Sequence, residues 1–454
     1  MHPILFRIPL PHQPMMLWWG LALAALVAVA YAVFAGRAAE RGSALVALLA
    51  AAGAIAAAVV YRHTSITQDS VPIYSYGVML GTSLVVGWYL TLTLAERDGL
   101  PKEVMANCYV ITALSAVVGS RILYVVTNLD EFHSFPDLFA FRRGGLAVYG
   151  GFLGGYLASW AYLRPHGLRL MPWADVAVPS LASGLFITRI GCYLFGCDFG
   201  KRLADDAPAF LQKLGTFPHW TAGTLDAGEG APAFARHLDL YKGTPLAAEL
   251  MKMNHSFPVH PTQIYESLCG LALLVVLLLQ RKTQSFRGQI FFTFAFGYGY
   301  LRFILETLRD DAERGEYGPS IAEHLLLPGS LLLMSLGLCF GIAPAIRHVK
   351  VRALVRVLGF VPPVAAYLML MPPSFGSSVT IQLSTSQWIG LVTALVVSYF
   401  YAQFWTVARK QPSVAMNADS LGPGAARVVP AAEEAEDESE HEDDEEQAEL
   451  SESR

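Results

Sequence analysis

The sequence predicts an all-α fold, a polytopic helix bundle in a membrane with a small cap outside the bilayer. Three observations carry this reading. Of 454 residues, 54% are hydrophobic and only 15% are charged, against roughly a quarter charged in soluble proteins. Runs of 18 or more nearly uncharged residues recur along the chain, each long enough to cross about 30 Å of hydrocarbon as a helix. The short loops between them alternate in basic content, as in a chain that threads back and forth through a bilayer. A soluble enzyme is excluded, and nothing in the composition points to nucleic acid.

In chain order, an N-terminal arm (1–10) leads into eleven spans near 16–35, 44–61, 73–95, 103–127, 145–163, 173–196, 262–280, 287–308, 321–346, 353–371 and 384–407. The first has too long an apolar core, and too little positive charge before it, for a cleavable signal. One set of alternate loops holds Arg37 and Arg41, Arg97 and Lys102, Arg164 and Arg169, and Arg281, Lys282 and Arg287. The same set continues with Arg347, Lys350, Arg352 and Arg356, then Arg409 and Lys410. The opposite loops hold only Arg62, Arg142, Arg143, Arg309 and Arg314. The positive-inside rule therefore predicts the N-terminus outside and the C-terminus in the cytoplasm of a bacterial inner membrane.

One long segment, 198–261, falls outside; with Trp220, Tyr241 and several prolines it reads as the cap. Residues 411–454 read as a disordered acidic cytoplasmic tail. Its last 24 residues hold 13 Asp/Glu and one Arg, so without them the formal charge of −5 becomes +7, which suits an anionic lipid surface. The five cysteines (Cys108, Cys192, Cys197, Cys269, Cys339) are odd in number and lie mostly in apolar runs. They read as small core residues, not as a disulfide framework or zinc site, and no cofactor or metal is expected.

Ionisable residues within spans are costly and so mark candidate function. Arg121 lies in "GSRILYVV", and Arg189 in "TRIGCYLFGCDFGK" nine residues before Asp198. Gln263 and Glu266 lie in "HPTQIYESL", and Arg302, Glu306 and Arg309 in "YGYLRFILETLRDD". The last three have i, i+4, i+7 spacing, which predicts one helix face. In the predicted orientation Arg189, Asp198, Glu266, Arg302, Glu306 and Arg309 lie in the outer halves of their spans and converge on one polar cavity. Each alone is an ion pair between helices. Together, their guanidinium forks suit an anion such as a phospholipid phosphate. Ion or anion transport is the competing use of such charges, but no internal repeat is visible. In "RGGLAVYGGFLGG", Gly150/Gly154 and Gly151/Gly155 predict close helix packing. Gly150 and Gly151, at a helix start, also predict close approach of a backbone to an anion.

Taken in order, these motifs resemble those of the bacterial prolipoprotein diacylglyceryl transferase family. "MHPILFRIP" is similar to its N-terminal arm and "IYSYGVMLG" to its first core helix. The four motifs above follow, with "RGGLAVYGGFLGG" as the third core helix and "STSQWIGLVTALVV" as the last. The resemblance covers about 1–10, 72–310 and 382–408. It leaves 11–71 and 315–381 as two insertions of two spans each, so about four helices are added to a seven-helix core whose orientation is preserved.

The resemblance implies a chemistry. Phosphatidylglycerol donates its diacylglyceryl group to the lipobox cysteine thiol in the signal peptide of a preprolipoprotein, at the lipid bilayer; a thioether forms and glycerol phosphate leaves. It implies that Arg189 and Arg302 clamp the phosphate, that Glu306 orients a guanidinium, and that Tyr149 stands at the reacting thiol. The resemblance adds Tyr76, Gln263 and Glu266 as substrate contacts to Arg121, Gly150, Gly151, Asp198 and Arg309, which the charges and glycines of the spans themselves suggest. The chain departs from the family pattern at Tyr149, where histidine is common, and at Cys192 and Cys197, where asparagine and glutamate are common. A histidine with pKa about 6.5 accepts a proton that a phenol with pKa about 10 does not. Asp198, one residue beyond Cys197, offers a replacement for that carboxylate if the helix stops there; one step along a continuing helix would turn the side chain by about 100°, away from the position of that glutamate. These departures leave a non-catalytic lipid- or lipoprotein-binding relative as the alternative.

Overall fold

The computed structural model describes residues 3–9, 15–37, 41–60, 62, 65–66, 70–132, 138, 145, 147–219, 231–310, 315–372 and 379–416. They fall into two compact units, one within 2–78 and one from residue 79 onward. In the first, strand β1 (Ile4–Pro9) precedes β2 (Met15–Met16), helix α1 (Leu17–Arg37), helix α2 (Arg41–Val60), β3 (Ser65–Ile66) and β4 (Ser70–Tyr74). β1 pairs antiparallel with β4, and β2 with β3. The arm and the residues before the first core helix are thus zipped together, and the Ser75 amide donates to Pro3 O at 2.8 Å. The α1–α2 hairpin leaves and re-enters the chain through this ladder.

α3 (Ser75–Arg97) begins in that unit and continues into the second, followed by α4 (Lys102–Thr127), α5 (Val148–Leu163) and α6 (Leu170–Phe195). Then come the short α7 (Ala209–Leu214), α8 (Pro232–Leu240) and α9 (Pro245–Met253), and the long α10 (Thr262–Arg281) and α11 (Gln289–Glu306). β5 (Glu316–Ala322), α12 (Glu323–Leu336), α13 (Val349–Gly359), α14 (Val361–Leu370), β6 (Thr380–Ser384), α15 (Thr385–Lys410) and α16 (Pro412–Met416) complete it. Among the described residues, seven helical segments are long and apolar enough to cross a membrane: α3, α4, α6, α10, Glu323–Ala345, Val349–Leu370 and α15. The other four predicted spans are helical as α1, α2, α5 and α11, but α5 has only 16 residues and α11 ends in Arg302 and Glu306. On α4, Leu114, Val118, Ile122 and Val126 are each more than half exposed at four-residue spacing. A continuous apolar stripe of that kind is stable against lipid, not water.

The expectation of purely α structure is corrected by three two-stranded ladders. The third, β5 with β6, brackets α12–α14 as β1 with β4 brackets α1 and α2. Between β5 and β6, α13 and α14 form one broken span. The break falls at Phe360, just before Pro362 and Pro363, whose missing amides and ring bulk interrupt helical bonding. The tail is also corrected at its start. Pro412–Met416 is helical, Ala415 is buried, and its carbonyl accepts from the Arg287 amide at 3.0 Å. Residues 417–454, with the acidic run, lie outside the described residues.

Glycine sets the closest helix pairings. A Cβ on Gly150 would sit 2.3 Å from Gly119 O, and one on Gly154 2.4 Å from Ser115 O, so α5 packs on α4 backbone to backbone. Gly299 of α11 and Gly390 of α15 meet in the same way. At one end of the second unit Asp98 accepts from Arg281 at 2.6 Å and Arg287 at 2.7 Å. Beside it Asp175 caps the start of α11, accepting from the Gly288 and Phe291 amides at 2.6 and 3.0 Å. Arg189 follows Asp175 by fourteen residues on α6, about 21 Å along the axis, at the other end.

Candidate active site

The site is built where three stretches of backbone leave their helices and weave together. α6 stops at Phe195 because Gly196 adopts the left-handed conformation (φ 84°), its amide bonding back to Cys192 O, a usual glycine helix stop. Asp198 is itself left-handed at φ 57°. The chain then runs beside the approaches to α10 and the end of α11. The Gly200 amide donates to His260 O at 2.9 Å and the Lys201 amide to Leu308 O at 2.7 Å. Gly200 is required here, since a Cβ would lie 2.6 Å from Leu308 O. α6 does not continue past Phe195 to turn Asp198 away, in keeping with its expected end near 196. The placement of Arg309 on the helix face of Arg302 is corrected: α11 ends at Glu306, and Arg309 lies beyond it, bridged to Gly200.

These turns bring six charged side chains together. Arg189 binds Asp198 at 2.6 Å and, through Nε, Glu266. Arg302 binds Glu266 at 2.5 Å and Glu306 at 2.9 Å. Arg309 binds Asp198 at 2.6 Å and Glu266 at 3.5 Å. Glu266, 5% exposed at its side chain, therefore touches all three arginines. Burial works against the charge on Asp198, yet the guanidinium groups of Arg189 and Arg309 outweigh it and hold its carboxyl below the ordinary carboxylate range. A buried network of this kind is a poor source of stability, because desolvation offsets most of the attraction. Its value is to hold guanidinium forks in fixed directions.

The surroundings separate polar from apolar. Glu306 accepts from Ser384 Oγ at 3.2 Å; Ser384 also caps α15 in a reciprocal box with Gln387. Glu266 and Arg302 border a narrow crevice between α6, α10 and α11 whose other walls are Leu185, Leu273, Leu301, Leu305, Cys269 and Tyr298. Sequence reasoning did not single out Ser384 or Tyr298. The signals were a Ser-x-x-Gln cap at the start of the last helix and a tyrosine one turn before Arg302.

The remaining expected residues divide. Gln263 donates to Cys197 O at 2.5 Å, and its buried Oε1 has no partner among the described residues. Tyr149 is more than a third exposed and donates to Ser386 Oγ at 3.4 Å. Arg121 donates to the carbonyls of Leu138 and Gly145 at 2.9 and 3.0 Å and packs beside Tyr124 and Phe132. It tethers the connection between α4 and α5. Gly150 and Gly151 face Gly119, Leu123, Ser120 and Ala116 of α4, so packing accounts for both. Tyr76 lies in the first turn of α3, within the N-terminal unit, and is partly exposed.

Residues 63–343 match the family model for prolipoprotein diacylglyceryl transferase. The chain belongs to that family. Among relatives of this transferase family, the Bacillus cereus (strain ATCC 14579) phosphatidylglycerol–prolipoprotein diacylglyceryl transferase is 28% identical over 242 residues, covering 53% of this chain and 78% of its own. Proteins of the same name from Bacillus anthracis and Bacillus thuringiensis give the same figures. With several membrane-length helices, this is a multi-pass member of a transferase family.

Proposed function

We propose that this protein transfers the diacylglyceryl group of phosphatidylglycerol to the lipobox cysteine of preprolipoproteins, on the extracytoplasmic side of the bacterial inner membrane. One observation supports this most: three arginines are fixed by Glu266, Asp198 and Glu306, and one of them, Arg302, lines a leucine-walled crevice together with Glu266. A phospholipid has that same division, an anionic phosphate joined to apolar chains. Arg189 and Arg302, more exposed than Arg309, present unused N–H groups to the phosphate, while Glu266 and Glu306 orient them.

The lipobox sulfur attacks the glyceryl carbon that carries the phosphodiester oxygen. The S–C bond forms, the C–O bond breaks, and glycerol phosphate leaves with charge that the two guanidinium groups stabilise. The thiol proton passes to solvent or the leaving phosphate. Tyr149, a phenol where an imidazole would accept a proton, positions the thiol by hydrogen bonding and does not take its proton. Asp198 supplies the carboxylate that Cys197 does not.

The test uses full-length protein in phosphatidylglycerol vesicles with a lipobox peptide. The expected product is a peptide heavier by one diacylglyceryl group, formed with an equal amount of glycerol phosphate and absent when the peptide cysteine is serine. Lipid binding without product would overturn the reaction and leave a non-catalytic lipid-binding relative.

A further inference from the structure

We propose that Cys192 and Cys197 form a redox-active dithiol, which a small-molecule disulfide converts to a Cys192–Cys197 disulfide, and that this modification disables the adjoining arginine network. The inference rests on the proposed function only for its effect on turnover. The thiol chemistry stands on geometry alone.

The two sulfurs and a carboxylate oxygen of Asp198 lie within 4.8 Å of one another. A disulfide needs about 2.05 Å between sulfurs, so a limited closure suffices. Cys197 is the residue able to move. Cys192 is held inside α6, whereas Cys197 follows the left-handed Gly196 and precedes the left-handed Asp198. On the α10 side its backbone is tied to Gln263 through one donated bond, while the other amide atom of Gln263 is left unpartnered.

Exposure and charge divide the roles. Cys197 is partly exposed and Cys192 buried, so an incoming disulfide meets Cys197 first. The Cys197 sulfur attacks it, forms a mixed disulfide and releases one thiol. Cys192 then attacks the Cys197 sulfur and releases the second thiol. The two cysteines lose two electrons and two protons in total, and the disulfide oxidant gains them. Charge that develops on Cys192 meets Arg189, whose Nη1 lies 3.8 Å from the sulfur, and a neighbouring cation promotes thiol attack.

Oxidation would reach the site through Asp198. Pulling Cys197 toward α6 displaces the residue bonded to it, and Asp198 is the bridge between Arg189 and Arg309. A soft metal ion on the same three groups is the competing occupant. It would have to take Asp198 from two guanidinium groups and sit beside both, which a cation does at an electrostatic cost and a neutral disulfide does not.

The experiment treats full-length protein with oxidised glutathione, then counts alkylatable thiols and maps the cysteine peptides by mass spectrometry. Wild type should lose the Cys192 and Cys197 thiols together, as one intramolecular disulfide reversed by dithiothreitol. Cys192→Ser should stop at a glutathione adduct on Cys197, and Cys197→Ser should leave Cys192 unmodified. Transfer to the lipobox peptide should fall at least tenfold on oxidation of wild type and be insensitive in Cys197→Ser. Retention of both thiols in wild type would overturn the proposal, as would unchanged turnover after complete disulfide formation. Copurification of a zinc ion lost in Cys192→Ser would overturn it in favour of a metal site. If no preparation transfers lipid, the thiol map still decides the dithiol chemistry, and only the transferase reading fails.

Discussion

Glu266 contacts Arg189, Arg302 and Arg309 at once, so the direction of each guanidinium depends on a single buried carboxylate. Arg302 is the member whose shape can be tested most directly, because it uses separate nitrogens for Glu266 and Glu306. A lysine has one nitrogen and no fork. Arg302→Lys is therefore expected to lower lipid transfer roughly 10²–10³-fold, the scale for losing one oriented donor at a developing charge, and Arg302→Ala to abolish it. Vesicle assays with folded variants measure this, and Arg302→Lys turnover within tenfold of wild type would remove the fork from the mechanism. Tyr149→Phe should cost far less, since the phenol is not the base. Most of this site was legible in the sequence, because charges in apolar runs are conspicuous. Ser384 and Tyr298 were not, because a hydroxyl carries little cost in a helix and resembles its neighbours.

At the scale of the helix, the paired glycines were legible and one helix end was misread. The four-residue glycine spacing predicted backbone contact, and Gly150 and Gly154 lie against Gly119 and Ser115. What the spacing could not give was the partner helix, which is α4. Gly150→Ala tests packing against anion approach. Its methyl would enter space occupied by the Gly119 carbonyl, and overpacking of that kind costs about 1–3 kcal/mol. The detergent-solubilised variant should unfold at lower temperature than wild type while its affinity for phosphatidylglycerol in the folded state is retained. Unchanged stability with lost lipid binding would restore the anion-approach role. The misread end is that of α11, which stops at Glu306, short of Arg309, whereas α6 ends at Phe195, within a residue of its expected end. Asp198 reaches Arg189 only because the chain turns there. The ladders of β1 with β4 and β5 with β6 join segments some sixty residues apart in sequence, a separation that local pattern does not report.

Across the second unit, charge is sorted to two ends of the bundle, and this gives the orientation a definite test. The basic loops predicted to share one side contribute Arg281 and Arg287, which meet at Asp98, and α16 reaches the same end through Arg287. The arginine–carboxylate network occupies the opposite ends of α6, α10 and α11. If the basic end faces the cytoplasm, the cap carrying α7–α9 and the network beneath it face outward, where secreted precursors emerge. Lys102, exposed at the basic end, and Lys252, exposed on α9 of the cap, report the two sides. In intact cells Lys252→Cys should react with a membrane-impermeant maleimide, whereas Lys102→Cys should react only after the inner membrane is opened. Each is compared with the parent chain to subtract the native cysteines. The reverse labelling would place the network in the cytoplasm, facing away from exported substrates. Since a bound phosphatidylglycerol presents its headgroup from one leaflet only, that result would exclude extracytoplasmic transfer while leaving the network's affinity for phosphate intact.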